Sequence, residues 1–220
     1  MPAKAEVELD MEQVEGGRWR IFGANVLPPI LACALEAFEE QGYHATTVRD
    51  IARRVGVTVP ALYYHYENKQ ALLVELLMGS MGGLLERCEA AVAEAGGEPV
   101  DQFSAIVECI VLYMASRGSQ GLLDSEIRSL EPENRVRYIA LRDRLETTLG
   151  EIIERGVAAG DFTTEFAEES RRMVLTACNA VARWYHLDGP VSPEEMARRY
   201  VSIALGAVGY RPRSRARKKS

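Results

Sequence analysis

The stretch TTVRDIARRVGVTVPALYYHYENK, residues 46–69, decides the fold. Thr47 stands where a helix N-cap belongs, and Asp50 three residues on can return a bond to it, a capping-box variant. Ile51, Ala52 and Val55 then share one face of the helix that follows. Gly56 predicts the end of that helix, because glycine accepts a left-handed cap. Thr58 can cap a second helix after a turn of about two or three residues, which is helix-turn-helix spacing. The second helix, residues 59–65, is short. It sets small or polar positions (Thr58, Pro60, Ala61) beside Tyr63 and Tyr64. Small residues let a helix N-terminus lie deep in a major groove. Tyr63, Tyr64 and His65 can bond phosphates without adding bulk charge. Asn68 can cap the next helix, whose positive dipole end and Lys69 are expected to face outward.

Outward from this stretch the whole chain reads as helix. Apolar residues recur at i, i+3 and i+4, and no segment alternates like a half-buried strand. Leu73, Leu77, Met81, Leu84, Cys88 and Val92 make one stripe; Leu141, Leu145, Leu149, Ile152 and Ile153 another; Phe166, Met173, Val174, Ala177, Val181 and Trp184 a third. Pro28, Pro60, Pro132 and Pro193 sit where helices can begin. Gly42, Gly56, Gly97, Gly160, Gly189 and Gly209 sit where they can end. The pattern predicts an all-α chain of nine helices, over 28–41, 48–55, 59–65, 69–94, 101–117, 120–130, 133–159, 164–187 and 193–209. Residues 1–27 form an N-terminal extension, with Trp19, Ile21, Phe22 and Val26 able to dock and the first 16 residues mobile. Residues 28–72 form the helix-turn-helix domain, 73–209 a ligand-binding and dimerisation domain, and 210–220 a basic disordered tail.

Charge limits the functions open to the chain. Its 220 residues carry 26 basic and 32 acidic side chains, a net charge of -6. Such a chain cannot hold nucleic acid through bulk charge, so any DNA contact must be local and geometric. No apolar run approaches the roughly 20 residues of a membrane span, and no leader pattern precedes the body. The expected location is the cytoplasm, with no membrane partner. Cys33, Cys88, Cys109 and Cys178 form no CxxC pattern and read as buried thiols. No two of His44, His65 and His186 share a metal-ligand spacing, so no metal is expected. There is no GxSxG, P-loop or HExxH, so neither an enzyme nor a cofactor is expected. A purely structural adaptor would explain the helices but not the pattern from Thr58 to Lys69.

Residues 30–73 resemble the DNA-binding domain of the TetR family of bacterial repressors. The resemblance rests on Phe38, Gly42, Thr46-Thr47-Val48, Ile51-Ala52, Val55-Gly56-Val57, Leu62-Tyr63, His65-Tyr66, Lys69 and Leu72. It implies a homodimer on an approximately palindromic double-stranded operator, and a C-terminal domain that holds a small effector. By position it implies phosphate contacts from Thr47, Thr58, Tyr63, His65 and Lys69. It places Val59, Pro60, Ala61 and Tyr64 against base edges. Pro60 departs from the small or polar residue usual there, so its contact would be apolar, as with a thymine methyl. Arg49 is the best phosphate candidate on the preceding helix.

Residues 183–209 and 124–146 look like the C-terminal domain of actinobacterial repressors of fatty-acid or steroid breakdown. That resemblance implies an acyl-CoA effector. An apolar tunnel would take the acyl chain, with Leu84, Cys109, Leu112, Tyr113, Met173 and Ala177 as candidate lining. Arg87, Arg117, Arg128 and Arg183 would hold phosphates, which match a guanidinium's geometry. The alternative is a sensor of drugs or other small hydrophobic compounds controlling an efflux pump. Gly79, Gly82 and Gly83 inside the fourth helix suggest a hinge between the domains. Ala177, Ala180 and Val181 with Ile203, Ala204 and Ala207 suggest a dimer seam built from the last two helices.

Overall fold

A computed structural model describes residues 17–22, 27–117 and 123–211. The expectations for residues 1–16, for Val26 and for the basic tail beyond Arg211 lie outside the described residues. Eight α-helices are present among them: α1 (Pro29–Gln41), α2 (Val48–Val55), α3 (Val59–His65), α4 (Lys69–Glu94), α5 (Pro99–Ser116), α6 (Pro132–Ala158), α7 (Ala167–Trp184) and α8 (Pro193–Ala207). Arg18–Arg20 and Leu123–Ser129 are 3-10 helices, and no described residue is in a strand. Of the expected helix over 120–130, the described part, Leu123–Ser129, is a 3-10 helix, so the nine expected helices appear among the described residues as eight α-helices and this tighter coil.

Local chemistry sets the head. The Thr47 hydroxyl accepts from the Asp50 N–H (3.2 Å), and the Asp50 carboxylate accepts from the Thr47 N–H (3.2 Å), so the capping box is complete. Gly56 ends α2 at φ 79°, a left-handed conformation that a side chain disfavours. The Thr58 hydroxyl accepts from the Ala61 N–H (3.3 Å) and starts α3. Asn68 starts α4 in the same way through the Ala71 N–H (2.8 Å). Phe38, Ile51 and Leu62, from α1, α2 and α3, are buried together. Aromatic contact between Phe38 and Tyr43 (5.3 Å) extends this small core toward the body.

The body is arranged around α5. From Phe103 to Ala115 nearly every α5 side chain is buried, and α4, α6, α7 and α8 all pack on it. Helix α4 is shared: its first turns meet α1 of the head, and its remainder meets α5 and α6. It runs unbroken past Gly79, Gly82 and Gly83. Phe162, in the α6–α7 connection, is buried edge-on against Phe103 (5.4 Å). The Val208 carbonyl accepts from the Thr163 and Thr164 N–H groups, which closes the end of α8 onto that connection.

Candidate DNA-reading surface and effector cavity

The α3 surface is open. Thr58, Pro60, Ala61, Tyr63, Tyr64 and His65 are all exposed. Tyr64 is 86% exposed, an unusual position for an aromatic ring in a folded monomer. Its ring meets the His65 ring edge-on at 5.3 Å. On α2, Thr47 and Arg49 are exposed too, and Arg49 pairs with no carboxylate among the described residues. Arg53 is held by Asp50 (2.8 Å) and Arg54 by Glu40 (2.6 Å).

Two of the expected contacts are corrected. Val59 is half-buried and packs against the head core, so it does not project with Pro60 and Ala61. Lys69 does not face outward. Its ammonium donates to the Tyr43 carbonyl (2.7 Å) and the Thr46 carbonyl (2.8 Å), 4.2 Å from the centre of the Tyr43 ring. Burial lowers its pKa, opposed by Glu126. The α1–α2 turn leaves those two carbonyls pointing at α4, and a long cationic chain at the N-terminus of α4 is what reaches them.

The same turn meets the body. Tyr43 N–H donates to Glu126 (3.4 Å), and the Ser129 hydroxyl donates to Glu126 (2.9 Å) while contacting the His44 ring (3.1 Å). Gln70, its amide oriented to suit its neighbours, donates to the Ser129 carbonyl (3.1 Å) and accepts from the Glu131 N–H (2.7 Å). The 3-10 helix at Leu123–Ser129 and the start of α6 therefore grip the head directly. No motif signalled this joint, because its residues have meaning only in contact with partners far away in the chain.

Within the body a cavity of about 70 Å³ lies between α4, α5, α6 and α7. Met81, Leu84, Met114, Leu145 and Leu175 form its apolar wall, and Ser80, Tyr138, Arg142, Glu146 and Asn179 supply polar groups. Glu146 is neutralised by Arg142 (3.4 Å) and Arg171 (3.7 Å). The effector residues expected from sequence do not gather there. Leu84 lines the cavity. Cys109 and Leu112 are closed core residues outside it. Tyr113 is outside the lining as well, though its hydroxyl donates (2.8 Å) to the carbonyl of Ser80, which lines the cavity. Burial raises the pKa of Tyr113, opposed by the bond to Ser80 and by Arg117 and Arg87. Met173 and Ala177 sit on the outer face of α7 and are corrected from tunnel lining to surface. Arg87 is bound to residues 18–21 rather than aimed at a pocket. Arg117 stands at the end of α5 close to both Arg87 and Tyr113. Arg128 and Arg183 are exposed and away from the cavity.

The outer faces of α7 and α8 enclose an apolar groove of about 230 Å³ lined by Met173, Ala177, Tyr200, Ile203, Ala204 and Ala207 among others. Met173 is 54% and Ile203 68% exposed. Val181, expected at the same seam, is buried in the core. All four cysteines are free thiols, and burial pushes Cys178 up to about 12. Among the described residues no helix is long and apolar enough to cross a membrane.

A three-helix head with an exposed second motif helix, carried on an all-helical body, defines a helix-turn-helix DNA-binding protein. Residues 30–76 match the family model for bacterial regulatory proteins of the tetR family, and residues 96–208 match that for the tetracyclin repressor-like C-terminal domain. The chain is 28% identical over 184 residues to the HTH-type transcriptional repressor KstR2 of Rhodococcus jostii (strain RHA1), spanning 81% of this chain and 89% of that relative. Among solved structures, the TetR family transcriptional regulator PfmR from Thermus thermophilus is 35% identical with a TM-score of 0.73, covering 80% of this chain and 97% of that one. A tetR-family regulatory protein from Rhodococcus RHA1 is 30% identical with a TM-score of 0.76, covering 84% and 97%. The chain belongs to the TetR family: it is a DNA-binding transcriptional repressor and not an enzyme.

Proposed function

We propose that the chain is a cytoplasmic, homodimeric repressor that leaves its operator when it binds an acyl-CoA thioester, in control of fatty-acid or steroid breakdown. Residues 28–72 serve as the DNA head and 73–209 as the effector and dimer domain. Pro60, Ala61 and Tyr64 read base edges, while Thr47, Arg49, Thr58, Tyr63 and His65 hold phosphates. The groove on α7 and α8 closes against a second copy, which sets two heads about one DNA turn apart, roughly 34–36 Å.

The observation that carries the effector reading is the cavity at Met81, Leu84, Met114, Leu145 and Leu175. Its wall at these five residues is apolar, its one acid is already paired, and Arg87 and Arg117 stand near Tyr113, whose hydroxyl bonds the Ser80 carbonyl at the cavity. An acyl chain suits the wall and phosphates suit the guanidiniums. A cationic drug would need an unpaired acid there. At about 70 Å³ the cavity must widen to admit an acyl chain. Its α6 wall continues back through Glu131 into the 3-10 helix that grips Tyr43, so widening displaces the head. A ligand that favours the displaced heads lowers DNA affinity by that differential free energy. Titration calorimetry with dodecanoyl-CoA, dodecanoate and free CoA tests the reading. The thioester is expected to bind at least tenfold more tightly than either part, and equal or absent binding of all three contradicts it.

A further inference from the structure

Residues Gly17–Phe22 lie across the outer face of α4 and α5, and the chemistry of their attachment is unusual. The Arg87 guanidinium donates through one nitrogen to the carbonyls of Arg18 (3.4 Å), Trp19 (3.1 Å) and Ile21 (3.1 Å). It also lies 4.5 Å from the centre of the Phe22 ring. Phe22 in turn packs edge-on against Tyr113 at 6.1 Å. Arg20 pairs with Glu108 (2.7 and 3.0 Å), and the Gly17 N–H donates to Glu94 (2.6 Å).

This attachment is incomplete. Trp19 is 3% exposed, yet among the described residues its indole N–H is buried without an acceptor. Such a donor costs free energy that a finished interface would recover. About 350 Å³ of open space remains beside it, between Trp19, Arg20, Glu94, Asp101 and Glu108. The ion pairs are at the surface, where such pairs add little. Meanwhile the segment's carbonyls are neutral acceptors on a guanidinium that repels the neighbouring Arg117. Phosphate oxygens would make shorter, charge-assisted bonds to the same nitrogen.

We propose that Gly17–Phe22 is a displaceable strap that occupies the Arg87 guanidinium with its own carbonyls, and that the phosphates of the effector compete it away. This rests on the acyl-CoA reading and adds its control. The strap sets the effector concentration at which release begins, because bound ligand must first undock Trp19 and Phe22. Loss of Phe22 also frees one face of Tyr113, whose hydroxyl is bonded to the Ser80 carbonyl at the cavity.

The chain contains two tryptophans, Trp19 and Trp184. Trp184→Phe therefore leaves Trp19 as the single fluorescent reporter. Dodecanoyl-CoA is expected to shift its emission to the red, and dodecanoate, which lacks phosphate, to leave it unmoved. Arg20→Ala and, separately, Glu108→Gln weaken the strap without touching Arg87. Each is expected to tighten dodecanoyl-CoA binding threefold or more. Binding with a still Trp19 and unchanged affinity in both variants overturns the strap while leaving the effector reading intact. A Trp19 shift with dodecanoate alone also overturns it. Absence of dodecanoyl-CoA binding in every variant removes the effector reading, and the strap with it.

Discussion

Replacing Gly79 and Gly82 together by alanine separates stability from signalling in α4. A methyl at either position meets no atom within 4 Å, so no steric cost arises. Glycine in a helix interior is about 1 kcal/mol less favourable than alanine. The pair should therefore stabilise the chain by about 2 kcal/mol, which for a chain of this size raises Tm by roughly 4–8 °C. Both glycines lie in the helix that joins head to body, and stiffening it should oppose the bending that moves the heads. Operator affinity should hold or rise, and release should need more effector. Differential scanning calorimetry reads the first effect and DNA anisotropy with an effector titration reads the second. A lowered Tm would refute the steric reasoning. A raised Tm with an unchanged effector midpoint would refute the hinge.

Four further outcomes are expected. Tyr64→Ala should leave Tm unchanged, since the ring is almost wholly exposed, and weaken operator binding by about 1–3 kcal/mol, the range of a lost base contact; anisotropy at fixed salt measures it. Thr58→Ala removes the α3 cap and should cost about 1 kcal/mol of stability in urea unfolding, with a matching loss of DNA affinity. Asp50 is held below the usual carboxylate range by its bonds from Thr47; the stability this gives is present above the unfolded value of about 3.9 and fades as pH falls through the lower folded one. Wild type and Asp50→Asn should therefore differ in Tm at pH 7 and converge toward pH 3. Ile203→Asp places a charge in the α7–α8 groove, and sedimentation should show a folded monomer where wild type is a dimer.

What the sequence made legible were the features built from neighbours in the chain. The bounds of α2, α3 and α4 follow from Thr47, Gly56, Thr58 and Asn68, whose caps act within three or four residues. Periodicity erred where a distant partner intervened. The 3-10 helix at Leu123–Ser129 reads as α because one or two turns carry too little periodicity to tell i+3 from i+4, and Glu126 and Ser129 are committed to the head. Helix α7 begins at Ala167 rather than residue 164, and the Thr163 and Thr164 N–H groups ahead of it donate to Val208. The left-handed cap expected at Gly97 falls on Gly96. The exposure of the candidate DNA contacts was legible because exposure on a short helix follows from its own apolar side, with Lys69 and Val59 the exceptions. The lining of the cavity was not: a stripe of apolar residues states that a helix has a buried side but not which neighbour covers it. Met173 and Ala177 share a stripe with Val174 and Val181, yet the first two face outward and the last two are buried. Arg87 looked like a free guanidinium because its acceptors are carbonyls about seventy residues away.

We propose above that one molecule joins operator binding to acyl-CoA binding. Fluorescence anisotropy of labelled DNA from upstream of the chain's own gene, at stated salt because phosphate contacts make affinity salt-dependent, tests both halves at once. Tight binding by the dimer is expected, reversed by dodecanoyl-CoA and left intact by free CoA. Tight binding that no acyl-CoA of medium or long chain reverses would contradict it.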